Sequence, residues 1–128
     1  HYGCGGIRAA MDGQRHGIID HWLQPIRDVA EANCAALSRI DETEEKLNRL
    51  CELTVASQVA SLSQTPILQS AWKGGRPLTI HGWIYGLKDG LLRDLKCDCD
   101  RSVAAFRCDE ANAPGFARDG KVPHACHA

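Results

Sequence analysis

The sequence predicts a mixed helix-and-strand domain, α/β or α+β, on three observations. Apolar residues recur at helical spacing through much of residues 5–73, the pattern switches to period two near Leu78–Tyr85, and Lys88-Asp89-Gly90 marks a turn before a second short strand. Helices dominate, and the strands gather in the later part of the chain.

In order, Gly5 to Met11 reads as a short helix directly after His1-Tyr2-Gly3-Cys4. The free backbone N–H groups at its start are expected to favour a thiolate or anion. Ile18, Ile19, Trp22, Leu23, Ile26 and Val29 then keep helical spacing, with Pro25 predicting a kink or break. Asp41-Glu42-Thr43-Glu44 supplies an acidic cap with a Glu three residues on. It opens the longest helix, whose apolar stripe is Leu47, Leu50, Cys51, Val55, Val59 and Leu62. Thr65-Pro66 starts another, which reaches about Lys73 and stops at Gly74-Gly75.

From Leu78 to Tyr85, Leu78, Ile80 and Ile84 alternate with Thr79, His81, Trp83 and Tyr85, which predicts a strand. His81 is expected to be a core histidine with its hydrogen bonds satisfied rather than a ligand. A second strand is expected over Leu91 to Leu95. Beyond it the chain turns Cys-, Asp-, Ala- and Gly-rich, so residues 1–95 are read as the domain and 96–128 as a divergent Cys-rich tail. One short helix is expected there, around Ser102 to Phe106.

At 128 residues the chain is at most one modest domain, and 15 basic against 16 acidic residues leave a formal charge of −1. No basic or aromatic-rich face suggests nucleic acid, and no apolar run approaches the roughly 18–20 residues that cross a bilayer. No secretory leader pattern is visible. The seven cysteines, Cys4, Cys34, Cys51, Cys97, Cys99, Cys108 and Cys126, are odd in number and irregular in spacing. A reduced, cytoplasmic setting is therefore expected, with no buried structural disulfide.

The chemistry concentrates in His1-Tyr2-Gly3-Cys4-Gly5-Gly6. Imidazole nitrogen and thiolate sulfur suit zinc, and a tight turn containing glycine can aim both at one ion. The pair is half of a four-coordinate site.

Downstream of the His-x-x-Cys pair stand Gly5-Gly6-Ile7-Arg8-Ala9-Ala10-Met11, Gly17-Ile18-Ile19-Asp20-His21-Trp22-Leu23, Ile26-Arg27-Asp28-Val29, Gln69-Ser70-Ala71-Trp72, His81-Gly82-Trp83-Ile84-Tyr85 and Asp89-Gly90-Leu91-Leu92. In that order and spacing, residues 1–95 resemble the C-terminal portion of a bacterial-type β-class carbonic anhydrase. The resemblance implies an α/β fold, a mostly parallel sheet flanked by helices, here lacking its N-terminal part, and assembled as a homodimer or tetramer. It implies zinc-dependent, reversible hydration of CO2 to bicarbonate by metal-hydroxide attack, with His1 and Cys4 as metal ligands. Gly5 and Gly6 would let the backbone approach the reacting oxygen.

The family's upstream Cys-x-Asp-x-Arg segment, which carries a third ligand, does not occur in these 128 residues. The chain is therefore expected to be part of a longer enzyme, inactive by itself, with the stripe of the long helix and the strand 78–85 partly uncovered. The alternative is a non-catalytic fragment or dimerisation remnant with an incomplete zinc site. In Gly82-Trp83-Ile84-Tyr85, the resemblance offers Tyr85 as a candidate regulatory bicarbonate contact, against the plainer role of a packed strand aromatic. Cys97, Cys99, Cys108, His124, Cys126 and His127 are a further set of soft donors, weighed against a Cys-rich disordered tail.

Overall fold

A computed structural model describes residues 1–100 and, for the backbone alone, 107–108. The elements are α1 (Gly5–Met11), a 3-10 turn (Gly17–Ile19), α2 (Asp20–Ala32), α3 (Cys34–Leu37), α4 (Thr43–Ser63), α5 (Pro66–Lys73), β1 (Thr79–Tyr85), β2 (Leu92–Asp100) and β3 (Arg107–Cys108).

The central element is α4, and its start is set by the chemistry of the cap. Glu42, rather than Asp41, takes the cap position: its carboxylate accepts hydrogen bonds from the Glu44 and Glu45 N–H groups, satisfying donors that a helix start leaves free. The helix buries Leu47, Leu50, Cys51, Leu53, Ala56, Val59 and Ala60 and packs against β1, β2, α1 and α2. The expected stripe is thus broader, gaining Leu53 and Ala56, while Leu62 is 48% exposed. The stripe is covered at Leu47, Leu50 and Val59 and partly uncovered at its end, at Leu62, as are Leu78, Trp83 and Tyr85 of the expected strand. Further exposed apolar side chains lie at Ile18, Ile19 and Trp22 and at Ile67, Leu87, Leu91 and Leu92.

Helix α2 runs on through Pro25. Loss of one ladder hydrogen bond and the ring's steric demand cost about 3 kcal/mol. Burial of Leu23, Ile26 and Val29 returns about 1.5–3 kcal/mol for each side chain, so packing outweighs the break. Helix α5 keeps the predicted ends, with Pro66 in its first turn and Gly74 at its C-cap.

The sheet order is β1-β2-β3, antiparallel throughout. The class is α/β as expected, but the described strands pair antiparallel rather than parallel, because only the short Gly86–Leu91 turn joins β1 to β2. That turn is closed by Gly86 N–H to Leu91 O and Gly90 N–H to Gly86 O, each at 2.8 Å. Strand β2 continues past the expected end at Leu95 to Asp100, with Cys97 and Cys99 buried. Pairing is irregular between Gly82 and Trp83, where the partners jump from Cys97 to Asp94. Lys96, in the extra segment, takes a left-handed φ of 55°, held by the Asp94 carboxylate on its N–H at 2.8 Å.

Two further expectations are corrected. His81 is exposed, stacked on Trp83 with ring centroids 5.3 Å apart and paired with Asp98 at 3.1 Å; the inward positions of β1 are Gly82 and Ile84. Cys34 and Cys97 are each disulfide-bonded, whereas Cys4, Cys51 and Cys99 are free thiols. Strand pairing sets Cys97 opposite Cys108, a proximity that spacing along the chain does not reveal. The helix expected at Ser102 to Phe106 and the donors His124, Cys126 and His127 lie outside the described residues.

Candidate metal centre

The His1–Cys4 turn depends on Gly3, whose φ of 72° is the left-handed region that a side chain makes costly. Tyr2 N–H donates to Tyr85 O at 2.9 Å, which docks the turn on the last residue of β1. Cys4 then leaves the turn with extended backbone angles and becomes the N-cap of α1, its side chain making no capping hydrogen bond. The thiol is free and half-buried.

His1 is exposed, with Nδ1 3.0 Å from Tyr2 O. A carbonyl can only accept, so Nδ1 carries the proton in this contact and Nε2 is the nitrogen with a lone pair to give. That is the arrangement in which one ring nitrogen of a ligating histidine donates to a carbonyl while the other meets the metal.

Helix α4 supports the turn from beneath. The Cys51 thiol is pushed up, chiefly by burial, and is held against the Cys4 backbone, whose hydrogen bond partly counters that rise. One residue on, Glu52 Oε1 accepts a 2.5 Å hydrogen bond from Tyr2 Oη. Burial first, and the Glu52 hydrogen bond second, push the Tyr2 hydroxyl up to about 12. Arg49 pairs with the other Glu52 oxygen at 2.9 Å. The Arg93 guanidinium sits over the Tyr2 ring, 5.8 Å from its centroid, and is itself paired with Asp89. The turn between the candidate ligands is therefore tied to both α4 and β1.

The structure separates the two glycines after Cys4. A Cβ at Gly5 would meet nothing within 4 Å, so the space over the turn is open there. At Gly6 it would lie 2.7 Å from Trp22 Cζ3; Trp22 thus roofs the start of α1 while remaining 65% exposed. His1, Cys4 and Gly5 adjoin along one turn. Tyr85 meets that turn through its backbone carbonyl and is 43% exposed. The residues that the sequence reading misses are Tyr2, Glu52, Arg93 and Trp22; Tyr2, set between the two donors, is the one visible signal.

The donor set fits zinc in kind, one imidazole and one thiol on a fixed turn. It is incomplete in number: among the described residues, no group of three or more His, Cys, Asp or Glu converges as a metal site.

A family model described as carbonic anhydrase matches residues 1–92. The chain belongs to the carbonic anhydrase family. It is 41% identical over 99 residues to a carbonic anhydrase of Emericella nidulans, an alignment covering 77% of this chain and 43% of that protein. To a carbonic anhydrase of Candida albicans it is 30% identical over 108 residues, covering 83% and 38%. Among solved structures it is similar to the Coccomyxa β-carbonic anhydrase in complex with acetazolamide, with TM-score 0.72 and 31% identity over 77% of this chain and 45% of that one. It is also similar to a tetrameric β-carbonic anhydrase of the ascomycete Sordaria macrospora, with TM-score 0.70 and 27% identity over 77% and 50%. The fold is that of the β class, and the chain spans half or less of the length of these carbonic anhydrases.

Proposed function

We infer that this chain supplies the His-x-x-Cys half of a zinc site in an enzyme that reversibly hydrates CO2 to bicarbonate. The observation that carries the reading is the ordered His1–Cys4 turn, with Nε2 of His1 and the Cys4 thiol uncommitted to the helix cap, inside the stretch that matches the carbonic anhydrase family. His1 and Cys4 would hold the metal together with donors that the described residues do not supply. Zinc bound there supplies Lewis acidity toward a coordinated water. The chain's own contributions are positional. Gly5 leaves the approach to the turn open, Cys51 and Glu52 fix the turn from beneath, and Trp22 covers Gly6 on the flank. Tyr85, its carbonyl on the turn and its side chain partly exposed, is proposed as a second bicarbonate contact.

The motifs resemble the bacterial type, while the two relatives described above are fungal, so the reading is of the class. Assembly as an oligomer is proposed as well. Ile18 at 88% exposure and Trp22 at 65% are exposed apolar side chains that association would cover. Among the described residues no helix is long and apolar enough to cross a membrane.

The test is zinc content by elemental analysis and stopped-flow CO2 hydration of the enzyme with its complete donor set, and of the same protein carrying Cys4→Ser. Loss of zinc and turnover together is expected. Stoichiometric zinc in Cys4→Ser would remove the assignment, and a zinc-free, inactive parent would favour a non-catalytic remnant, which the two-donor set of the described residues also fits.

A further inference from the structure

We propose that Tyr2 and Glu52 are positioning residues for the metal centre, a clamp that holds the His1–Cys4 turn in its ligating geometry. The inference rests on the zinc reading and adds to it which residues make the turn competent.

Four observations converge. Tyr2 lies between the two donors, so any motion of its backbone moves both. Its N–H is fixed by Tyr85 O at 2.9 Å and its hydroxyl by Glu52 Oε1 at 2.5 Å, which pins the residue at both ends, to β1 and to α4. Glu52 is itself held, its second oxygen on Arg49 at 2.9 Å, with the two side chains 22% and 15% exposed. Hydrogen bonds to a charged partner are the stronger kind, and a partly buried carboxylate paired on both oxygens has little freedom to swing away. Arg93 closes over the Tyr2 ring. Gly3 alone would leave the turn soft, since glycine samples many backbone conformations; the clamp removes that freedom where two ligands must meet one ion.

The experiment compares the full protein with Tyr2→Phe, Glu52→Ala and Glu52→Gln, each shown folded by circular dichroism. Zinc affinity is read by competition with a chromophoric chelator, and the thiolate-to-metal band is read after cobalt substitution. Loss of an outer-shell partner typically weakens metal binding about 10–100-fold, and that loss is expected for Tyr2→Phe and Glu52→Ala, with a weakened cobalt band. Glu52→Gln should recover part of it, because the carboxamide oxygen still accepts from the phenol while its NH2 group cannot accept from Arg49. A merely structural role would lower the melting temperature and leave affinity unchanged. A folded Tyr2→Phe that binds zinc as tightly as the parent overturns the proposal. Should the parent bind no zinc, the zinc reading fails separately. The clamp is then judged by hydrogen exchange at residues 2–5: faster exchange in Tyr2→Phe supports it, and unchanged exchange overturns it.

Discussion

Gly82 and Cys97 face each other across β1 and β2 so closely that a Cβ on Gly82 would lie 2.9 Å from both the Cys97 Cβ and its carbonyl oxygen. Two strands meet there without room for one more carbon, directly before the register irregularity.

Gly82→Ala should therefore force the strands apart. Overpacking of a tight interior typically costs about 1–3 kcal/mol, and the Val59 side chain, 3.4 Å from the same point, closes the remaining escape. Urea denaturation checks it, and a midpoint equal to that of the parent would show that β2 yields freely.

The glycines of the metal turn should part company. Gly3→Ala imposes a side chain on a φ of 72°, a strain of about 1–2 kcal/mol, and should lower both stability and zinc affinity. Gly5→Ala meets no neighbour and should leave the melting temperature where it is. Any loss of CO2 hydration in Gly5→Ala is then a property of the approach to the site. Equal melting shifts for the two variants would contradict this division.

Acid should weaken the start of α4. The Glu44 and Glu45 N–H groups hold the Glu42 carboxyl below its ordinary 4.5. A carboxylate depressed in the folded state stabilises the fold above its unfolded value, and that contribution fades as pH falls through the folded one. Glu42→Ala should accordingly be less stable than the parent at neutral pH, and the gap should narrow below about pH 4. A constant gap across the titration would assign the effect to something other than the charge.

The three free thiols among the described residues should react in a fixed order. Cys4 is half-buried at the surface turn, whereas Cys51 and Cys99 are 4% and 3% exposed and both are pushed up by burial. A thiol reagent should label Cys4 first and the other two only on unfolding, and zinc should protect Cys4. Mass mapping of the labelled peptides decides it, and prior labelling of Cys51 would mean that the turn opens off α4.

How much of this the sequence discloses depends on the range of the forces. Helices α1 and α5 start and stop where local signals put them, because Thr65-Pro66 and Gly74-Gly75 act within a turn of the chain. Period two sets His81 on the face of β1 opposite Ile80 and Ile84, and the core reading fails because that face is the outward one, where Trp83 and Asp98 are its partners. The breadth of the buried face of α4 is set by strands and helices on several sides, which one stripe of period 3.6 cannot express. The pair of zinc-type donors is legible as a motif. Their support is not, since Tyr2 and Glu52 stand 50 residues apart and only the packed fold brings them together.

That separation sets when the centre can exist during folding. Closing a loop of such length costs chain entropy that must be recovered from long-range contacts, so the turn acquires its shape only as α4 docks on β1. A short peptide covering His1 to Met11 would carry the same donors and lack the geometry. Under the proposed zinc reading, metal capture would report on completed tertiary structure, and a destabilising substitution deep in α4, at Leu50 or Leu53, would be felt as slow or weak loading of an ion that neither residue touches.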